Sequence, residues 1–213
     1  MEPFPDSIIQ GDFMQENRTR YPSYNVLNEK EHWDEHTREI VLKRLGPFDK
    51  NKFLTDHEAE MILAIARHIV YDERKEILNY VVHHLDSALS SPIGEDQRKT
   101  GTPPRDILIR RGLKAIDKLS EKKLGASFLE IDITEQLTLL EELDKGKAMP
   151  LSEWQKIPQK ELFKKLATEI VSAYYSHPVV WSEIGYGGPA YPRGYVRVER
   201  YLTDPWEAKR DEA

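Results

Sequence analysis

Apolar residues recur three and four positions apart over most of this chain, the spacing that lines one face of an α-helix. A first helix is expected from about Glu29 to Leu45, with Trp33, Thr37, Ile40 and Val41 on its apolar side and Gly46-Pro47 as its stop. Thr55-x-x-Glu58 has the form of a capping box: the hydroxyl accepts an amide three residues on, and the glutamate reaches back to the cap amide. Ile62, Ile65, Ala66 and Ile69 follow on one face, widened by Met61, Ala64 and Val70, so this second helix is expected to be central and to end near Tyr71-Asp72. Leu78, Val81, Val82, Leu85 and Leu89 mark a third helix, closed by Ser90-Ser91-Pro92, and the polar stretch 94–102 reads as a loop. Pro103-Pro104 opens a fourth, as proline does in a first turn, with Leu108, Gly112, Ala115, Ile116 and Leu119 facing inward. Gly112 there either lets a neighbouring helix come close or is merely tolerated. Asp132-x-x-Glu135 is a second capping box, before a short helix that buries Leu137, Leu140 and Leu143 and ends near Gly146. Pro158 starts the last long helix, with Phe163, Leu166, Ala167, Ile170 and Tyr174 on one stripe, and Ser176-His177-Pro178 ends it.

No strand-like alternation and no internal repeat competes with this pattern. The expected fold class is all-α: an irregular bundle of about six helices with an extended N-terminal arm and an aromatic, glycine-rich C-terminal coil. Residues 1–50 would hold the arm and first helix, 51–196 the helical domain and 197–213 a tail. Residues 1–28 scatter Pro, Asn, Asp and Gly without a period, as an arm or a segment ordered by a partner would.

From Tyr174 onward the composition changes. Tyr174, Tyr175, Trp181, Tyr186, Tyr191, Tyr195, Tyr201 and Trp206 are interleaved with Gly185, Gly187, Gly188 and Gly194. Such a segment cannot form a long helix, yet its rings must be covered by something. Rigid aromatic side chains on a glycine-rich loop suit a protein interface, where they supply contact area at low entropic cost. Wrapping of the chain's own bundle explains them equally well. Candidate partner contacts are Trp181, Tyr186, Gly187, Gly188, Pro189, Tyr191, Tyr195, Tyr201 and Trp206.

Charge and composition narrow the functional classes. The net charge is −6, from 31 basic and 37 acidic residues in 213, with no dense basic block. That is not the footprint of a protein that binds phosphate backbones or anionic membranes. The absence of cysteine excludes disulfides, thiolate catalysis and cysteine-ligated clusters within the chain. No run approaches the ~20 apolar residues that span a bilayer. The first residues show neither a secretory signal nor a twin arginine, so a cytoplasmic location is expected, with a periplasmic one only if a partner carries the chain.

Residues that could carry chemistry are few. His32 and His36, four apart on the expected first helix, would share a face where a metal could bridge them, but no third ligand is evident and the pattern is not H-E-x-x-H. His83 and His84 diverge by about 100°. His68 reads as a boundary residue. His177 reads as structural, bonding the carbonyls at a helix end. Glu130, Asp132, Glu135, Glu141, Glu142 and Asp144 are explained by capping and a solvated face. The basic group Arg98, Lys99, Arg105, Arg110 and Arg111, interleaved with acids, reads as salt bridges to solvent or a partner. Gly185-Tyr186-Gly187-Gly188-Pro189 follows a helix rather than a strand and includes a proline without an amide, so it is a poor dinucleotide fingerprint.

The closing segment resembles a known family. Tyr174-Tyr175-Ser176-His177-Pro178, then Trp181-Ser182-Glu183-Ile184-Gly185-Tyr186-Gly187-Gly188-Pro189, then Tyr191-Pro192-Arg193-Gly194-Tyr195 is similar to the end of the gluconate 2-dehydrogenase subunit 3 domain. Phe53-Leu54-Thr55 before Glu58, Gly112-Leu113 and Gly125-x-Ser127-Phe128 fit the same domain, so the resemblance runs from about Phe53 to Tyr195. It implies a small subunit without catalytic, cofactor or metal residues of its own. The partner would be a large FAD-containing dehydrogenase subunit of the glucose–methanol–choline type, acting on gluconate, glucose or a related sugar or glycoside. A cytochrome subunit accepts the electrons in some such complexes. Many family members carry a twin-arginine export signal, which the first 50 residues here lack. The alternatives are an assembly or export chaperone that leaves its flavoprotein, a metal-dependent hydrolase built on His32 and His36, and a helical adaptor with an unrelated partner.

Overall fold

The computed structural model describes residues 19–91, 99–197, 199 and 202–209. Tyr201, Arg98, most of the expected 94–102 loop, the start of the arm and the end of the tail lie outside them. Among the described residues every regular element is helical: α1 (Glu35–Lys43), α2 (Asp56–Val70), α3 (Lys75–Ser90), α4 (Arg105–Leu124), α5 (Ile133–Lys145), α6 (Gln159–Tyr174) and α7 (Pro178–Ile184), with 3₁₀ segments at Val26–His32 and Ser152–Gln155. The all-α class is what the periodicity calls for. The chain divides into two compact units, Glu35–Val180 and Met1–Asp34 together with Trp181–Ala213.

In the first unit both capping boxes form. Thr55 Oγ1 accepts from the Glu58 amide at 3.2 Å while the Thr55 amide donates to Glu58 Oε2 at 2.9 Å. Asp132 and Glu135 repeat the exchange at 2.8 and 3.2 Å. Pro104 and Pro158 stand at the N-caps of α4 and α6. Helix α6 is the hub, packing against α2, α3, α4 and α5. Ile62, Ile65, Ile109, Leu113, Leu162 and Ile170 are wholly buried, each stabilising the fold by about 1.5–3 kcal/mol. Gly112 is more than tolerated: a Cβ there would lie 2.2 Å from Leu162 Cδ1, so the glycine sets how near α4 and α6 come.

Three expectations change. The first helix is split, because a 3₁₀ segment capped by Asn25 ends at Trp33, whose backbone is extended (φ −88°, ψ 152°), and α1 begins only at Glu35. Ile40 is consequently 42% exposed, while Val41 alone of α1 is buried. In α5 the inner stripe is Gln136, Leu139, Leu140 and Leu143, and Leu137 stands 43% exposed. Gln136 earns its inner place by bridging: its Nε2 donates to the Phe128 carbonyl at 2.8 Å and its Oε1 meets His68 Nε2 at 2.9 Å. On α6 the buried stripe is Leu162, Leu166, Ile170, Ala173 and Tyr174, with Phe163 and Ala167 half-buried at its edge.

Two buried carboxylates fasten the connections. Asp86 on α3 accepts the amides of Lys52, Phe53 and Leu54 at 2.8–2.9 Å, pinning the loop that leads into α2. Asp72, between α2 and α3, accepts from Arg74 at 2.6 Å and from the Tyr174 hydroxyl at 2.8 Å. Burial alone would raise its pKa, but the hydrogen bonds from Arg74 and Tyr174 outweigh burial and hold it at about 2.

Candidate partner interface

Helix α7 leads into the glycine coil because Pro178 opens a helix as well as closing one. His177, 1% exposed, accepts the Val179 amide on Nδ1 at 3.3 Å and donates its own amide to the Tyr174 carbonyl at the end of α6 at 3.1 Å, so it ties the end of α6 to the start of α7. Burial and the charge of Arg74 push its pKa down to about 4.

In the second unit the coil lies on the N-terminal segment of the same chain. The Tyr186 amide donates to the Trp181 carbonyl at 2.9 Å, and the two rings meet edge to face at 5.2 Å. Thr19 Oγ1 donates to the Glu183 carbonyl at 2.7 Å, and the Val26 amide donates to Ser182 Oγ at 3.1 Å. Gly185 (φ 74°) and Gly188 (φ 77°) occupy the left-handed region, and side chains press on both. A Cβ at 185 would sit 2.4 Å from the Tyr21 ring, and one at 188 would sit 2.9 Å from Trp33. Glycine is therefore required twice over, by conformation and by space.

Arg193 joins the pieces. Its guanidinium pairs with Glu29 at 3.0 Å, donates to the carbonyls of Gly187 (3.1 Å) and Pro189 (3.4 Å), and lies 4.6 Å over the Trp206 ring. Tyr24 donates its hydroxyl to the Trp206 carbonyl at 3.0 Å. Burial, and then the negative charge of Glu29, push the Tyr24 pKa to about 12. Buried Asp204 accepts the amides of Val196 (3.2 Å) and Arg197 (2.8 Å), pinning the end of the coil.

The nine candidate contacts thus separate. Trp181 is 7% exposed, Gly188 is buried, and Gly187, Pro189 and Trp206 are half-buried within the unit. Tyr186 (41%), Tyr191 (70%) and Tyr195 (68%) face solvent. Tyr201 lies outside the described residues. Ile184, Val196 and Leu202, not singled out from the sequence, are also exposed.

The other candidates fall into structural roles. His32 ends the 3₁₀ segment and His36 lies on α1 beyond the extended Trp33, so the one-face spacing of a continuous helix does not hold. Among the described residues no group of three or more His, Cys, Asp or Glu is placed so that it could hold a metal ion. His83 stacks on Phe48 at 4.8 Å and His84 tilts against Tyr80 at 5.8 Å, with burial lowering the His84 pKa. Glu130, Asp132 and Glu135 cap turns and α5, Glu141 pairs with Lys145, and Glu142 with Lys123. Lys99, Arg105 and Arg110 pair with Glu161, Glu169 and Glu58 of the same unit. An open groove of about 560 Å³, which the sequence did not point to, is lined by Phe48, Asp49, Asp56, Glu60, Leu63 and His83 among others.

A family model described as Gluconate 2-dehydrogenase subunit 3 matches residues 56–188. No curated protein and no solved structure matches the chain. Among the described residues no helix is long and apolar enough to cross a membrane.

Proposed function

This chain belongs to the gluconate 2-dehydrogenase subunit 3 family, and on that premise we propose that it is a non-catalytic small subunit that binds and stabilises a large FAD-containing dehydrogenase subunit of the glucose–methanol–choline type. The observation that carries the reading is the exposure of Tyr186, Tyr191 and Tyr195 on a coil whose backbone is fixed from within. Large rings held rigidly in water gain from being covered, and tyrosine is prominent among the residues that dominate binding energy. The coil is also a poor phosphate cradle: it follows a helix, and the Tyr21 and Trp33 rings fill the space above Gly185 and Gly188. FAD, and the hydride taken from gluconate, glucose or a related sugar, belong in this reading to the partner. A small subunit that binds only the folded partner raises the folded fraction by mass action.

The test is co-expression with a large FAD-containing dehydrogenase subunit of the glucose–methanol–choline type. The soluble, FAD-loaded yield of the large subunit rises when this chain is present, and the two co-purify at fixed stoichiometry. Equal yield and activity without this chain would overturn the reading. Replacing Tyr191 and Tyr195 together by Ala weakens the complex by about 30-fold or more, since truncating even one dominant contact costs about 2 kcal/mol.

A further inference from the structure

We infer that residues 19–33 and the coil 181–197, with Trp206 beside it, form a single docking platform whose shape is set by Arg193, which acts as a positioning residue for the surface that meets the partner. The inference rests on the accessory-subunit reading above. Tyr191 and Tyr195, the two most exposed rings among the described residues, stand two residues before and two residues after Arg193. The guanidinium between them is fixed from several sides: by the Glu29 carboxylate, by the carbonyls flanking Gly188 at Gly187 and Pro189, and by the face of Trp206.

Each contact answers a physical need. A coil without regular structure must find donors for its carbonyls elsewhere, and Arg193 supplies two of them. The Arg193 side chain is 10% exposed and that of Glu29 24%, so the pair is far less screened than a surface ion pair. Hydrogen bonds from a guanidinium to carboxylate and carbonyl oxygens are charge-assisted and directional, and the ring adds a cation–π contact. Only a planar fork with several donors serves all four partners at once; a lysine ammonium is a point charge. Glu29 is 164 residues from Arg193, so the contact joins the two ends of the chain. The N-terminal segment is on this account half of the platform. The rings it positions suit a partner surface with apolar recesses and hydrogen-bond acceptors for tyrosine hydroxyls.

The experiment uses the full chain as wild type, Arg193→Ala, Arg193→Lys, Glu29→Gln and the Tyr191→Ala/Tyr195→Ala pair. Amide hydrogen exchange is read by segment, and affinity is measured for the separately purified, FAD-loaded large subunit. In Arg193→Ala, amides in 20–33 and in 185–197 exchange together roughly tenfold faster, while those of α2–α6 keep their protection. Affinity falls about tenfold or more. Arg193→Lys follows Arg193→Ala rather than wild type, and Glu29→Gln falls between. The tyrosine pair keeps wild-type exchange but loses affinity, and adding Arg193→Ala to it costs little more, because both act on one surface. If Arg193→Ala matches wild type in exchange and in affinity while the tyrosine pair weakens binding, the positioning role is wrong and the accessory-subunit reading stands. If the wild-type chain shows no affinity for the flavoprotein, both are overturned.

Discussion

Gly112→Ala tests the closest approach in the helical unit. The new Cβ would lie 2.2 Å from Leu162 Cδ1, 2.7 Å from Cδ2 and 3.0 Å from Cγ. Carbon atoms in favourable contact sit roughly 3.5–4.0 Å apart, so Leu162 or α4 must move by roughly 1 Å. Leu162 is fully buried, and its helix is held by α2, α3 and α5 as well, so moving it disturbs a packed core. Such overpacking costs about 1–3 kcal/mol, against about 1 kcal/mol returned by the better helix propensity of alanine. A net loss of up to about 2 kcal/mol is expected, seen in urea denaturation followed by far-UV circular dichroism as a lower midpoint with an unchanged slope. Leu162→Ala alone costs about 2–5 kcal/mol through the cavity it leaves. In the double variant the methyl at 112 enters that cavity, so the two losses sum to less than their parts by about 1 kcal/mol. A midpoint at or above wild type for Gly112→Ala, or strict additivity in the double variant, would refute the claim that the α4–α6 spacing requires a hydrogen at position 112.

Two further outcomes follow from buried titratable groups. His177→Asn keeps an acceptor for the Val179 amide and removes the imidazole, whose pKa of about 4 in the fold lies below the ~6.5 of an unfolded histidine. Stability from the neutral imidazole is therefore complete above pH ~6.5 and is lost as pH falls toward 4, up to about 3 kcal/mol in wild type. The Asn variant flattens that part of a pH series of urea melts, leaving the smaller slope of His84, and a slope identical to wild type counts against it. Asp86→Ala leaves three loop amides without their acceptor and lowers stability by about 3 kcal/mol or more at neutral pH; a loss under about 1 kcal/mol would mean that water replaces the carboxylate. Burial would raise the Asp86 pKa, but the Leu54, Lys52 and Phe53 amides outweigh it and hold it below the usual carboxylate value, so this contribution is present above pH ~4 and fades as pH falls further.

The helical unit was legible because its signals are local. Thr55 and Asp132 announce α2 and α5 through a glutamate three residues on, and Pro104 and Pro158 announce α4 and α6. Periodicity failed where a polar group wins an inner position through its partners, as Gln136 does by bridging Phe128 and His68 and so turning Leu137 outward. The break at Trp33 escaped notice for a related reason. Its ring packs on Gly188, far along the chain, and that distant contact draws the residue out of the helix its neighbours suggest. Of the interface, the residue types were legible and their division was not: nothing near Trp181 or Tyr191 in the sequence says that one ring is covered by its own unit and the other stands in water. Arg193 stood in the sequence only as part of the motif Tyr191-Pro192-Arg193-Gly194-Tyr195, and Glu29 gave no local sign of being its partner.

The two units differ in what holds them, and the difference bears on function. The helical unit has a continuous core from Leu54 to Val180, and its buried carboxylates and imidazole are each engaged in hydrogen bonds that fasten turns and helix ends. Among the described residues of the other unit the buried apolar side chains are only Val26, Trp33, Trp181 and Ala208. That unit also closes a loop through the whole helical domain, an entropic cost that grows with length and that a core of this size offsets weakly. Its order rests instead on a few directed contacts, those of Arg193, Tyr24 and Asp204, while Tyr186, Tyr191 and Tyr195 remain in water. Such a region opens at lower free energy than the helical bundle. A surface of that kind gains most from a partner, because covering Tyr186, Tyr191 and Tyr195 adds the apolar burial that the unit lacks on its own. On the proposed function the coupling would run both ways: a large subunit stabilised by this chain would stabilise the platform in return, and protection from exchange on complex formation should concentrate in residues 19–33 and 181–197 and leave α2–α6 little changed.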